Sequence, residues 1–210
     1  MNPGETLVAR LPTIVDALAA HGWVVVDDFL TPTLAKTLLA EGRAREAQGA
    51  FHRASVGRAQ GQAVRDDIRG DHVLWLDPAQ PSSAEACYWA QIETLRLALN
   101  AALYLGIREG EFHYAHYPVG AFYRRHIDRF RDDDARVVSA VCYLNENWQT
   151  ADGGQIRLWL EGNGEGAFED ILPQAGRLVL FMADRFWHEV LPATRERWSL
   201  TGWLRRGTAI

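Results

Sequence analysis

His126-Ile127-Asp128, followed by His188 and then Arg197, are the residues whose types and spacing could do chemistry. Two imidazoles and a carboxylate supply three ligands to iron(II) and leave the other octahedral positions open to a bidentate 2-oxo acid and to dioxygen. A His-x-Asp pair is common enough by chance to carry little weight alone. His188 adds weight because it lies in the late run 187–191, just after the apolar run 178–181. Arg197 opens the run 197–204, where a planar guanidinium could hold the far carboxylate of 2-oxoglutarate in a bidentate pair. The chemistry expected of this set is oxygen activation coupled to a 2-oxo acid. Ligand identity alone leaves nickel, manganese and zinc as alternatives.

That chemistry requires strands that bring the residues together. In an extended chain residues i and i+2 share a face, so His126 and Asp128 are expected on one side of a strand over 121–128. The same parity groups Arg197, Ser199, Thr201 and Trp203. It also aligns Tyr143 with Val137, Ser139 and Val141 on 136–145, where its hydroxyl is a candidate second donor to the carboxylate; a core tyrosine is the competing account. Tyr117 and Tyr123 flank the approach to His126. His113 and His116 are three apart, should point to opposite faces, and are read as structural. Residues 162–166, glycine-rich but with no Lys-Ser/Thr after them, read as a hairpin turn rather than a phosphate cradle.

Apolar spacing predicts a helix over 6–20, then a β-branched run at 24–26. Thr31 with Pro32 opens a second helix to about Gln48. A third runs from 81–83 to about Leu105, with Gly106 as its cap. Between the second and third helices, residues 49–71 lose periodicity and read as a long mobile loop or loose hairpin, either a lid or disorder. After Gly110 come short β-rich runs at 111–117, 121–128, 136–145, 155–160, 177–182, 187–191 and 197–204. The fold expected is α+β, a double-stranded β-helix (jelly roll, cupin-like) with the N-terminal helices packed on one sheet. We expect a single domain over 1–210, with helical support and a mobile substrate loop near 55–71 in residues 1–110, and a catalytic jelly roll over 111–206.

Composition narrows the partners. The chain has 210 residues, 48% hydrophobic, and a formal net charge of −5, which argues against a general nucleic-acid binder. Arg124, Arg125, Arg129 and Arg131 could meet phosphates, but Asp132, Asp133 and Asp134 offset them. Cys87 and Cys142 show neither disulfide nor zinc spacing, which fits a reducing compartment. With no apolar run long enough for a bilayer, a cytoplasmic protein without membrane contact is expected.

A wider pattern emerges in chain order: Ile68-Arg69-Gly70-Asp71 with Trp75, Tyr117-Pro118, Tyr123-x-Arg125-His126-x-Asp128, Arg136, Tyr143-Leu144-Asn145, Gly153-Gly154, Asp184-Arg185, His188-Glu189-Val190, and Arg197 through Trp203. Together these residues resemble the prolyl-hydroxylase branch of the iron(II)/2-oxoglutarate dioxygenases, similar to the hypoxia-inducible-factor prolyl hydroxylases and their bacterial relatives. The resemblance implies that His126, Asp128 and His188 hold iron(II), that Arg197 and Tyr143 bind 2-oxoglutarate, and that Thr201 and Tyr117 lie beside it. It places Arg69 and Asp71 at a loop that closes over substrate, and Tyr123, Arg136 and Trp203 near a bound peptide. The segment between Asp184-Arg185 and His188 departs from the animal enzymes in being shorter and more aromatic. The activity implied is O2-dependent hydroxylation of a prolyl residue in a protein, releasing succinate and carbon dioxide, with ascorbate as a reductant and elongation factor Tu as the leading substrate. The alternatives are an oxygenase of alkylated nucleic acid or of a small molecule, and a non-catalytic metal-binding jelly roll.

Overall fold

The computed structural model describes residues 6–55, 65, 67–128 and 135–207. Most of the expected substrate loop, and Arg129, Arg131 and Asp132 to Asp134, lie outside the described residues.

Helix α1, Leu7–His21, begins where the Thr6 hydroxyl accepts the Ala9 amide, and ends at Gly22 in the left-handed region. Strand β1 is Trp23–Val26. Helix α2, Pro32–Ala47, is capped by Thr31 with Pro32 in its first turn, as its sequence predicts. Strands β2, His52–Arg53, and β3, His72–Trp75, follow. Helix α3, Ser83–Leu103, opens on a capping box in which Ser82 and Glu85 satisfy each other's backbone amides. The remaining strands are β4, Glu109–Tyr117; β5, Tyr123–His126; β6, Arg136–Tyr143; β7, Ile156–Trp159; β8, Phe168–Ile171; β9, Leu178–Met182; β10, His188–Val190; and β11, Arg197–Arg205.

Several boundaries differ from expectation. Strands β3 and β8 have no counterpart among the expected strands, and β2 falls inside the stretch read as a loop or loose hairpin, pairing antiparallel with β3. Strand β5 stops at His126, so Asp128 lies just beyond it. Helix α3 closes at Tyr104, not Gly106: Tyr104 itself takes the left-handed conformation, at φ 52° and ψ 36°. A side chain there costs conformational energy, and this one is 88% exposed and packs little. Tyr104→Gly should therefore stabilise the fold by about 0.5–1 kcal/mol. A urea midpoint that falls instead of rising, at unchanged slope, would contradict the cap assignment.

Two sheets form the jelly roll, a major one ordered β1-β9-β6-β11-β4-β3-β2 and a minor one ordered β5-β10-β7-β8. Alternation gives the major sheet two different faces. Phe112 and Tyr114 on β4, Val138, Ala140 and Cys142 on β6, Leu178 and Leu180 on β9, and Trp198, Leu200 and Leu204 on β11 join a core with Ile14, Leu18, Leu38, Tyr88, Ile92 and Leu95 of the helices. Val141, Tyr143, Val179 and Phe181 face the other way and pack with Ile156, Leu158, Ile171 and Phe186. The first core fixes the sheet, and the second spaces the two sheets apart. Among the described residues no helix is long and apolar enough to cross a membrane.

Candidate active site

Antiparallel pairing of β10 with β5 sets His188 directly opposite His126. Asp128 reaches them from the bend after β5. Its Oδ1 lies 3.6 Å from His126 Nε2 and its Oδ2 3.5 Å from His188 Nε2. Metal bonds of about 2.1 Å would set adjacent ligands about 3 Å apart, so a modest closure would seat an ion. The backbone prepares both rings for this. His126 Nδ1 is 2.8 Å from the Arg124 carbonyl and His188 Nδ1 is 3.2 Å from that of Phe186. A carbonyl only accepts, so the proton sits on Nδ1 and the Nε2 lone pair is free to ligate.

Charge is tuned in the same sense. Burial favours the neutral form of His188 and the nearby His126 adds to it, pushing its pKa down to about 4 against the pull of Asp128. Burial would raise Asp128's pKa, but His188, His126 and the Ser139 hydroxyl outweigh it and hold the carboxylate well below its usual range. Ser139 donates to Asp128 Oδ2 at 2.6 Å and so orients the carboxylate. The donor set of two neutral imidazoles and one carboxylate fits iron(II).

A cavity of about 370 Å3 extends from this cluster. Arg197 lines it and is only 2% exposed. Its Nε donates to the Gly154 carbonyl at 2.9 Å, and its guanidinium lies 4.9 Å from the Tyr117 ring and 5.0 Å from that of Tyr143. Gly154 has φ +69°, and a Cβ there would stand 2.9 Å from Ala193 Cβ, which accounts for glycine at this point. Arg197 Nη2 and Tyr143 Oη are both buried without a hydrogen-bond partner. Two unsatisfied donors side by side are costly unless an acceptor arrives, and a carboxylate is the acceptor that a guanidinium and a phenol suit.

Of the residues singled out from sequence, all line the cavity except Asp71 and Tyr143. Tyr143 packs against Arg197, whose guanidinium lies over its ring. Asp71 is buried and holds Arg69 in a bidentate pair at 2.7 and 2.5 Å, which aims Arg69 over the Tyr123 ring at 4.3 Å. Tyr123 in turn stacks on His126, with centroids 3.7 Å apart. Arg136 rests over Trp203 at 3.3 Å and pairs with Glu111 at 3.2 Å. The Thr201 hydroxyl meets that of Ser199 at 3.0 Å.

Three neighbours were not marked as site residues. Ser139 and Gly154 act through contacts that only the folded chain creates. His113, read as structural, does point away from His116, yet it lines the cavity 4.7 Å from Trp75 and 5.8 Å from Trp203. Burial, with the Arg69 charge adding to it, pushes the His113 pKa down to about 3 from 6.5. Between those values the unfolded chain binds a proton that the folded chain refuses, so stability present above pH 6.5 is lost as pH falls toward 3. The cost to the metal-free protein should be on the order of 4–5 kcal/mol, and His113→Leu should flatten the acid limb of a stability-versus-pH curve. Parallel curves for the two proteins would exclude His113 as the source.

A jelly roll that gathers two histidines and an aspartate at one mouth, with a buried arginine whose Nη2 has no partner in the same cavity, defines an oxygenase that couples a metal to a 2-oxo acid. Residues 112–205 match the 2OG-Fe(II) oxygenase superfamily. A Pseudomonas putida prolyl-4-hydroxylase superposes with a TM-score of 0.83 at 50% identity, covering 93% of this chain and 98% of that one. A Trichoplax adhaerens prolyl hydroxylase, solved with a hypoxia-inducible-factor peptide fragment, gives 0.83 at 28% identity over 95% and 90% of the two chains. Egl nine homolog 1 of Homo sapiens is 32% identical over 208 residues, 96% of this chain and 48% of that protein, so the chain spans about half the length of this relative. The chain belongs to the prolyl-hydroxylase branch of the iron(II)/2-oxoglutarate-dependent oxygenases.

Proposed function

We propose that this chain hydroxylates a prolyl residue in a protein, consuming 2-oxoglutarate and dioxygen and releasing succinate and carbon dioxide. The observation that carries the reading is the pair of buried, unsatisfied donors, Arg197 Nη2 and Tyr143 Oη, beside a cavity that also holds His126, Asp128 and His188. In this reading His126, Asp128 and His188 hold iron(II), which supplies oxygen activation when bound. Arg197 and Tyr143 take the distal carboxylate of 2-oxoglutarate and so orient its 2-oxo end toward the metal ligands, with Thr201 and Tyr117 as walls. Ser139 keeps the Asp128 carboxylate turned to the two imidazoles.

The peptide would enter past Trp75, Trp203 and Tyr123, whose rings suit a pyrrolidine and exclude water from the reacting carbon. Arg136 braces Trp203 and Arg69 braces Tyr123, each guanidinium lying over its ring; Asp71 acts indirectly by holding Arg69. The likeness to the two prolyl hydroxylases above supports a prolyl substrate. Elongation factor Tu is the substrate we favour, on the resemblance to bacterial relatives, with the whole chain acting as one cytoplasmic domain and ascorbate keeping the iron reduced.

The test is to incubate the protein with iron(II), ascorbate, 2-oxoglutarate, oxygen and elongation factor Tu, measuring succinate and mapping added oxygen by mass spectrometry. Succinate with an oxygen on proline is expected. Added oxygen only on other residues would overturn the prolyl reading, oxygen on the proline of a different protein would remove the factor, and no succinate with any protein would overturn the activity.

A further inference from the structure

A second group of donors gathers on the opposite face of the major sheet, away from the cavity: Glu46 at the end of α2, His72 on β3 and His116 on β4. His72 and His116 are cross-strand partners, so their side chains leave the sheet together, with ring centroids 6.0 Å apart. Glu46 reaches both from the helix layer. Its Oε1 stands 3.2 Å from His116 Nδ1 and 3.7 Å from His72 Nδ1, and one donor atom from each residue lies within 4.8 Å of the others. Tetrahedral bonds of about 2.1 Å place neighbouring donors about 3.4 Å apart, a spacing these distances bracket.

His116 is built like a ligand. It is 5% exposed and held flat against Trp198, with centroids 4.2 Å apart and planes 11° from parallel. Its Nε2 is buried with no hydrogen-bond partner, and the nearest carboxylate oxygen is Glu196 Oε1 at 3.8 Å. Once Nδ1 ligates an ion, the ring proton must sit on Nε2, facing that carboxylate. This is the carboxylate–histidine–metal order of many metal sites. Glu196 keeps its other oxygen 3.6 Å from Arg43. The side chains of Glu46 and His72 are each 33% exposed, which leaves a route for the ion and a fourth position for water.

We propose that Glu46, His72 and His116 form a second divalent-metal site, of the kind that takes zinc, distinct from the His126, Asp128 and His188 cluster. Its ion would tie α2 to β3 and β4, and because His72 adjoins Asp71 it would fasten the base of the segment that presents Arg69.

The experiment uses the untagged full chain, dialysed against zinc(II) and analysed for bound metal, with cobalt(II) as a spectroscopic substitute. His126→Ala with Asp128→Ala removes the first cluster, and that variant should still retain one equivalent of zinc, with the intense visible bands of four-coordinate cobalt. Adding His72→Asn or Glu46→Gln should abolish the equivalent and the bands; both positions are part-exposed, so folding is checked by circular dichroism. His72→Asn alone should keep the equivalent bound by the first cluster, which separates failure here from failure of the oxygenase reading. No retained equivalent in the His126→Ala, Asp128→Ala protein, or one that survives both His72→Asn and Glu46→Gln, overturns the proposal and leaves a histidine–carboxylate hydrogen bond in its place.

Discussion

His126→Ala should reduce 2-oxoglutarate turnover by more than about 100-fold, since loss of a mere outer-shell partner of a metal ligand already costs about 10–100-fold. The reason is local. His126 supplies one of three donors, and its Nε2 is presented to Asp128 because Nδ1 is committed to the Arg124 carbonyl. Alanine removes the donor while leaving Asp128 and His188 to hold an ion by two bonds. Stability should change little, because His126 is part-exposed and its ring contacts among the described residues are the stacked Tyr123 and the tilted His188. Succinate release at rising iron(II) would measure the effect. Turnover restored to the parent value at high iron would indicate a ligand that only tunes affinity, and unchanged turnover at all iron levels would remove His126 from the site.

Arg197→Ala should act on the co-substrate instead. Breaking a buried charge pair by removing one partner costs about 3–5 kcal/mol, so the 2-oxoglutarate concentration needed for half-maximal rate should rise by roughly 100- to 5000-fold. Tyr143→Phe removes one hydrogen bond to a charged group, worth about 1.5–3 kcal/mol, and should raise it by roughly 10- to 150-fold. Iron affinity in the absence of 2-oxoglutarate should hold in both variants, which separates the role from that of the metal ligands. Arg197→Lys should recover only part of the loss, because an ammonium lacks the planar fork and the Nε contact to Gly154. An unchanged requirement in Arg197→Ala would refute the assignment.

Strand parity, which is local, brings Asp128 to His126 and groups Arg197 with Thr201, whereas His188 meets His126 only through the pairing of β10 with β5. Parity is a rule of direction, not of length. The run 121–128 gave the right convergence of His126 and Asp128 although β5 ends two residues before Asp128. Strand β8 was missed because Phe168–Ile171 carries two acids and buries only Ile171, so its pattern lacks an apolar face. Tyr104 was passed over because glycine is the usual left-handed cap, and Gly106 stood nearby. Ser139 and Gly154 owe their importance to partners distant in the chain, Asp128 and Arg197, and no spacing announces such a contact. The same holds for Glu46, His72 and His116, which only pairing and helix packing assemble. His113 reads as structural because it and His116, three apart, should point to opposite faces, whereas its place beside Trp75 and Trp203 depends on register across three strands.

The two-faced major sheet sets how this architecture can change. On β4, β6 and β11 most side chains alternate between the helix core and the face that carries the cavity and the core between the sheets, so adjacent codons answer to different demands. A substitution at Trp203 can reshape what the mouth accepts without touching the apolar layer beneath, while one at Leu200 or Leu204 is felt as lost packing. An engineer seeking a new peptide preference thus has a ready alphabet of alternate positions, with the scaffold's tolerance of error held separately on the other side of the same strands.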